Sequence, residues 1–312
     1  MPERKFLVSR VSRLWRWLSV YRTMYIVLLI LLLPTGASIY FFGYYALKVA
    51  AVSIATAVLT EYLAKKLRRR TFVMDGSAII TGLLLALTLP PTIPLWMVAL
   101  GSFFAIAIVK EAFGGLGHNI FNPALSGRAF LQVSFPMEMT KWVLPTGFTA
   151  DAITIPSPLA VDFDKLSIYW KLFIGNTTGS LGETSTLLIL LGGILLIAIR
   201  VIDWRIPLAY IGTVAILSLS LGQDVISHLL SGGLMLGAFF MATDYVTSPL
   251  THRGRLIFGF GAGIFTITIR LYGGLPEGVC FAILFMNALV PLIDSYVTVK
   301  PYGFKKRGKS EV

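Results

Sequence analysis

The chain has 312 residues, of which 56% are hydrophobic and 13% charged, with 27 Lys and Arg against 15 Asp and Glu. A soluble domain carries about 25% charged residues, so this composition, with a mean hydropathy of +0.78, excludes an ordinary globular enzyme and implies a polytopic protein of the lipid bilayer. The net charge of +12 does not imply a nucleic acid partner, because the basic residues gather at the ends of apolar segments, where they orient the chain and meet anionic lipid.

Residues 1–22 are basic and rich in Arg and Trp, and the chain turns apolar at Met24. No small-residue cleavage site follows, so the segment reads as the approach to an uncleaved first helix rather than a signal peptide. Ten apolar runs come next, near 23–43, 44–64, 76–91, 94–111, 119–135, 184–202, 206–222, 225–242, 255–271 and 277–296. Several approach the roughly 20 residues that a helix needs to span a bilayer. The expected fold is all-α, with about ten transmembrane helices. Basic clusters lie within 4–22, 65–70, 200–205, 251–255 and 300–309. With the N-terminus inside, ten spans put all of these clusters on the cytoplasmic side. The 48-residue gap 136–183 then lies outside, with three lysines against five acids.

A spacing coincidence divides the expected spans. "LPP" reaches Pro90 24 residues before the glycine pair at Gly114, and "TSPL" reaches Pro249 24 residues before the pair at Gly273. Each pair follows a base, Lys110 or Arg270, and an aromatic, Phe113 or Tyr272. The common offset of 159 residues suggests two five-helix repeats, 23–135 and 184–296, inverted because five is odd. Inverted repeats with broken helices often build a central site near the midplane. The plainer alternative is that the glycine pairs merely end membrane helices.

The densest polar interruption of the first half is "FGGLGHNIFNPALSGRAFL", residues 113–131. Gly114, Gly115 and Gly117 permit a tight turn or a close backbone approach to a ligand. Asn119, Asn122 and Pro123 start the next helix, with exposed amide groups near its N-terminus. The two Asn side chains either hydrogen-bond a planar heteroaromatic ligand or cap the helix. Arg128 falls inside a span, where charge is costly, as a functional group or as a brace within the bundle. Glu61, Asp75, Glu111, Asp244, Glu277 and Asp294 lie in or beside helices. Asp75 and Asp244, near the expected cytoplasmic face, can gather cations or orient loops, and Asp75 can equally serve as a helix cap. His118, His228 and His252 lack metal-ligand spacing, and there is no P-loop, nucleophile elbow or dinucleotide-binding glycine fingerprint. The one cysteine, Cys280, lies in an apolar run and reads as a packing residue.

Four stretches in order, "TGLLLALTLPP", "KEAFGGLGHNIFNPALSGRAFL", "MATDYVTSPLTHRGRLIFG" and "GGLPEGVCFAILFMNALVPLID", resemble the D subunit of the Rnf electron-transport complex. The B subunit of the sodium-pumping NADH:quinone oxidoreductase is the next most similar. The likeness runs from about residue 20 to 300. It implies a urea-transporter-like inverted-repeat fold, a covalent flavin mononucleotide (FMN), and a second, non-covalent flavin, usually riboflavin. In the family the FMN hangs by a phosphoester from the threonine of a motif like D-[AG]-x-[ST]-G-A-T. Laid on "DAITIPSPLA", residues 151–160, the motif's Asp falls on Asp151 and its threonine on Ser157. Thr154 takes the preceding hydroxyl position, and Ile155 and Pro156 replace the Gly-Ala pair. A serine hydroxyl forms the same phosphoester, with Thr154 as the fallback attachment point.

The resemblance further implies a multi-pass protein of a prokaryotic cytoplasmic (inner) membrane, within a complex that moves electrons between reduced ferredoxin and NAD, coupled to Na⁺ or H⁺ transport. Its partners would be other Rnf-type membrane and flavin or iron–sulfur subunits, together with a flavin transferase. The implied organisation is a cytoplasmic segment 1–22, the two helical repeats, a flavin-bearing extracytoplasmic loop 136–183 and a cytoplasmic tail 297–312. Asn119, Asn122, Gly117 and Arg128 are candidates for the second flavin, and Asp75 for the ion path. The alternative is a urea-transporter-like solute channel or carrier without a redox cofactor.

Overall fold

Helices α1, Val20–Phe42, and α2, Tyr44–Leu67, are continuous apolar rods separated only by Gly43. Their computed structural model describes residues 20–142, 165–183, 185–273 and 278–297 of the chain. After α2 come α3, Ser77–Leu87, and α4, Leu95–Phe104, which runs without a break into a π-helical turn, Ala105–Glu111. Helices α5, Pro123–Ser134, and α6, Pro136–Met139, follow a glycine-rich loop. Then come α7, Lys165–Ile174, α8, Thr186–Ala198, α9, Arg205–Ser220, and α10, Val225–Leu230. The three-residue α11, Leu234–Leu236, continues into a second π-helical turn, Gly237–Met241. The chain ends with α12, His252–Tyr272, and α13, Val279–Tyr296.

The chain is all-helical, but the expected count of about ten spans in two five-helix repeats is corrected. Among the described residues, four helices are long and apolar enough to cross a membrane: α1, α2, α12 and α13. The other expected spans are shorter, and three of them break where the backbone turns. Helix α3 has 11 residues, about 16 Å of rise against a hydrocarbon core of about 30 Å, and stops at Thr88 before the two prolines. Helix α8 has 13 residues and ends where Arg200 adopts φ 61°. The apolar run 225–242 is cut by Gly232 and Gly233, with φ of 66° and 67°. The two offset-related glycine pairs also differ in backbone. Gly114 and Gly115 have φ of 128° and 97°, whereas Gly273 is extended at φ −93° as the C-cap of α12.

Small residues bring the helices close. A Cβ on Gly82 of α3 would lie 2.9 Å from Ile54 Cα of α2, and one on Gly259 of α12 would lie 2.7 Å from the Ile206 carbonyl of α9. Such approaches gain packing and weak polar contacts where lipid offers no hydrophobic drive. Ser53 Oγ of α2 donates to the Gly82 carbonyl at 2.6 Å and lies 2.8 Å from Ser102 Oγ of α4. Tyr210 Oη of α9 meets Thr266 Oγ1 of α12 at 2.6 Å, in the buried interior. At one end of the bundle Asp203 accepts from Arg205 at 3.0 Å and Arg255 at 2.6 Å, so α9 and α12 start side by side. Those guanidiniums and the Arg205 amide hold the Asp203 carboxyl below the usual range, although burial works against them.

Candidate functional site

A partly open cavity, with about 800 Å³ of empty space including its mouth, lies between the start of α1, α3, the ends of both π-helical turns and the N-terminus of α5. Its walls differ in chemistry, and each is built by a separate stretch of chain.

The polar wall comes from the first π-helical turn. Hydrogen bonds there span five residues, as between the Ala112 amide and the Ala107 carbonyl at 3.0 Å. The widened turn carries both Lys110 and Glu111 inward, each only 2% exposed. Lys110 Nζ donates to Glu61 Oε1 at 3.1 Å and to Ser77 Oγ at 2.6 Å. Ser77 in turn donates to Asp75 Oδ1, from its hydroxyl at 2.5 Å and its amide at 2.9 Å. Glu61 also pairs with Lys65 at 2.7 Å. Taking a charge out of water costs several kcal/mol unless partners satisfy it, and this network supplies them. Burial would raise the Asp75 carboxyl, but the Ser77 hydrogen bonds and the nearby Lys110 and Lys65 charges hold it below its ordinary value. Asp75 thus sits at the start of α3 as a capping group. Glu111 faces Arg68 at 3.8 Å, and its Oε1 has no hydrogen-bond partner among the described residues.

Asn119 and Asn122 both line the cavity but differ in what they have left to offer. Asn122 Oδ1 accepts from the Ala124 and Leu125 amides at 3.0 and 3.3 Å, while its Nδ2 donates to the Met241 carbonyl at 3.2 Å. It caps α5 and ties that helix to the second π-helical turn. Asn119 Nδ2 donates to the Phe121 carbonyl at 3.1 Å. Its Oδ1 and second N–H take no partner among the described residues, so one face of the amide remains available at the cavity.

The apolar wall is formed by Phe239 and Phe240 of the second π-helical turn, with Ile80 and Leu84 of α3. The rings are seated in α8: a Cβ on Gly193 would come 2.5 Å from Phe239 Cγ, and one on Gly192 would come 3.2 Å from Phe240 Cζ. Tyr245 closes one side and donates its hydroxyl to the Val201 carbonyl. Asp244 also lines the cavity. Burial pushes its carboxyl above the usual range, opposed by hydrogen bonds from Thr247 and from the Val246 and Tyr245 amides.

The remaining expected site residues lie elsewhere. Arg128, 4% exposed, donates to the carbonyl of Thr88, the C-cap of α3. It lines a smaller pocket with Glu183, Ser180 and Cys280, one turn of α3 beyond the main cavity. Gly117, at φ 92° and with nothing within 4 Å of where a Cβ would stand, turns the chain between Leu116 and Asn119, which do line the cavity. Asp151, Thr154 and Ser157 lie outside the described residues. No group of His, Cys, Asp or Glu among the described residues is arranged to hold a metal ion. Sequence reasoning did not single out Lys110 and Ser77 as a pair, nor Phe239 and Phe240. A lysine inside an apolar run, as at "AIAIVKEAF", was the available signal for the first.

Comparison with known proteins supplies what geometry alone does not. The model of the NQR2, RnfD, RnfE family matches residues 13–303. The chain is 46% identical over 308 residues to the D subunit of a proton-translocating ferredoxin:NAD(+) oxidoreductase complex of Clostridium ljungdahlii, covering 92% of this chain and 93% of the relative. It is 45% identical over 296 residues to the D subunit of a Na(+)-translocating ferredoxin:NAD(+) oxidoreductase complex of Acetobacterium woodii, covering 92% and 91%. The D subunit of an ion-translocating oxidoreductase complex of Stutzerimonas stutzeri is 42% identical over 336 residues, covering 93% and 94%.

Proposed function

The chain belongs to the NQR2, RnfD, RnfE family, and from that premise we propose that it is the flavin-carrying membrane subunit of an ion-translocating ferredoxin:NAD oxidoreductase. It would sit in the inner membrane as a multi-pass protein, with its basic helix ends on the cytoplasmic side. Its partners are the other membrane and flavin or iron–sulfur subunits of the complex. A flavin transferase would attach FMN through a phosphoester to Ser157, with Thr154 as the fallback and Asp151 as the motif's acid.

The observation that carries the reading is the family match across residues 13–303. The same family match supports a second, non-covalent flavin such as riboflavin. Asn119 offers an amide acceptor and donor to a heteroaromatic edge, and Phe239 and Phe240 offer an apolar face beside it. When bound, the flavins supply the electron chemistry. The chain's own residues bind and orient them, exclude water and set the local charge. Asp75 is the residue we assign to attracting the transported cation. The two relatives named for H⁺ and Na⁺ differ by one percentage point in identity to this chain, so overall similarity does not choose between the ions.

Mass spectrometry of the intact chain, co-expressed with a flavin transferase, tests the covalent site. An FMN adduct that disappears in Ser157→Ala, with in-gel flavin fluorescence lost under denaturing conditions, is the expected result. Loss in Thr154→Ala alone moves the attachment to Thr154. A colourless, unmodified protein that conducts small solutes rejects the reading in favour of a carrier.

A further inference from the structure

Where α9 and α12 start side by side, one carboxylate organises two guanidiniums. Asp203 Oδ2 accepts from Arg205 Nη1 at 3.0 Å and from Arg255 Nη1 at 2.6 Å. Arg255 Nε also donates to the Pro249 carbonyl at 3.1 Å, and the Arg205 guanidinium lies 5.1 Å over the Trp204 ring. Both side chains are therefore fixed, but their hydrogen-bonding capacity is not used up. Every nitrogen of a guanidinium donates and none accepts. Among the described residues, Arg205 Nε and Nη2 and Arg255 Nη2 donate to no partner. His252 Nδ1 lies 3.2 Å from Arg205 Nη1. Since the guanidinium can only donate, Nδ1 accepts, and the ring hydrogen is left on Nε2 of a side chain that is 70% exposed. Arg200, in the turn before Asp203, and Arg253, in the first turn of α12, are exposed as well. Four arginines thus stand against two carboxylates, Asp203 and Asp294, and Asp294 is engaged by the Leu250 amide at 3.2 Å. The N-termini of two long helices add partial positive charge at the same place.

The charged end continues directly into exposed apolar side chains, Trp204 and Leu208 on α9 and Ile257 and Phe260 on α12. Tryptophan and arginine together at a helix end mark the depth of the membrane–water interface. A free anion would meet the charges alone, whereas a phospholipid meets charge and apolar flank at once. The positive balance also works against a headgroup that carries its own ammonium. We propose that this end of α9 and α12 is a discrete site for the phosphate of an anionic phospholipid, clamped by Arg205 and Arg255, with His252 and Arg253 at its rim. Planar guanidinium forks match phosphate oxygens in pairs, which an ammonium does not. Asp203 is the positioning residue: it holds both forks before the lipid arrives, so less side-chain freedom is lost on binding. The site differs from the general attraction of basic segments for an anionic membrane in depending on fork geometry as well as on charge.

The test is native mass spectrometry of the purified complex, titrated in parallel with phosphatidylglycerol, phosphatidylcholine and inorganic phosphate. The expected result is phosphatidylglycerol retained on this subunit at concentrations where phosphatidylcholine is not, with no competition from inorganic phosphate. Arg205→Lys combined with Arg255→Lys keeps every charge but removes both forks. It should weaken phosphatidylglycerol binding by at least about tenfold, as the loss of one charge-assisted hydrogen bond would. Lys66→Gln combined with Arg69→Gln removes two charges from the basic segment after α2 and should leave this binding unchanged. Wild-type binding in the double lysine variant reduces the surface to diffuse attraction and overturns the proposal. Equal retention of the two lipids overturns it too, as does displacement by inorganic phosphate, which would make this a free-anion site. Lipid bound by the full chain alone but not by the assembled complex also overturns it, because another subunit then covers the surface. If the double lysine variant does not fold, Arg253→Gln decides, since it is exposed and outside the Asp203 pairing. Severalfold weaker phosphatidylglycerol binding supports the site, and unchanged binding overturns it.

Discussion

The π-helical turn Ala105–Glu111 ends in a buried lysine and glutamate, whereas the turn Gly237–Met241 carries two phenylalanines, and both face one cavity. Each uses the same backbone device, a hydrogen bond spanning five residues, at 3.0 Å from Ala112 to Ala107 and at 2.7 Å from Ala242 to Gly237. What differs is how the side chains are fixed. Lys110 is held by ion pairing and hydrogen bonding to α2 and α3, and its partners are 49 and 33 residues away in sequence. Phe239 is held by shape alone, in the hole left by Gly193. One wall is therefore vulnerable to loss of charge and the other to gain of volume.

The largest expected effect breaks the charged wall. Glu61→Leu leaves Lys110 and Lys65 without their shared carboxylate, and stranding a buried charge costs about 3–5 kcal/mol. A thermal unfolding scan in detergent should show a marked fall in the transition temperature, and an unchanged transition would mean that the pair is dispensable. For the apolar wall, Gly193→Val must displace Phe239, and overpacking of this kind costs about 1–3 kcal/mol. Gly212→Ala in α9 is the control, since nothing lies within 4 Å of its added Cβ; it should melt at or slightly above the wild type.

The two asparagines sharpen the comparison further. Asn122→Ala removes the α5 cap and should cost about 1 kcal/mol, read as a lower melting temperature. Asn119→Ala should leave the melting temperature near wild type while lowering the content of extractable flavin. A reversed pattern would exchange their roles.

The smallest effect is that of Asp75→Asn, because asparagine caps a helix about as well as aspartate. The carboxyl is depressed in the folded chain, so its contribution to stability is complete above the ordinary aspartate value. It is lost as the pH falls through the lower folded value, below roughly pH 4. Wild type should lose stability in that acid window, and Asp75→Asn should lose less. If Asp75 also gathers the transported cation, the same variant shifts the Na⁺ or H⁺ dependence of turnover at unchanged flavin content. Superimposable titrations would confine it to capping.

Hydropathy located the four long helices well. The expected runs 23–43, 44–64, 255–271 and 277–296 correspond to Val20–Phe42, Tyr44–Leu67, His252–Tyr272 and Val279–Tyr296. It failed where an apolar run is interrupted by backbone geometry, because averaging over residues does not register a Gly232–Gly233 break or an α-to-π change at Ala105. The glycine-rich loop and its asparagines were legible as a site because polar residues are conspicuous in an apolar chain. The division of labour between Asn119 and Asn122 was not legible, since it depends on which carbonyls lie opposite. The Lys110 network was hidden for the same reason: Glu61, Ser77 and Lys110 belong to three separate elements and meet only when α2, α3 and the turn after α4 pack together.

The π-helical turn Ala105–Glu111 also behaves as a length gauge for the chain. A π turn holds one residue more than the α turn it replaces, so removing a single residue between Ala105 and Val109 would let the stretch relax to α-helical pitch. Lys110 would then keep nearly its present bearing, whereas the same residues wound at α-helical pitch with none removed would turn everything after them by about 100° around the axis, swinging Lys110 away from Glu61 and Ser77. The π turn works as an indexing tooth that takes up the surplus residue and so keeps the charge aimed at its partners.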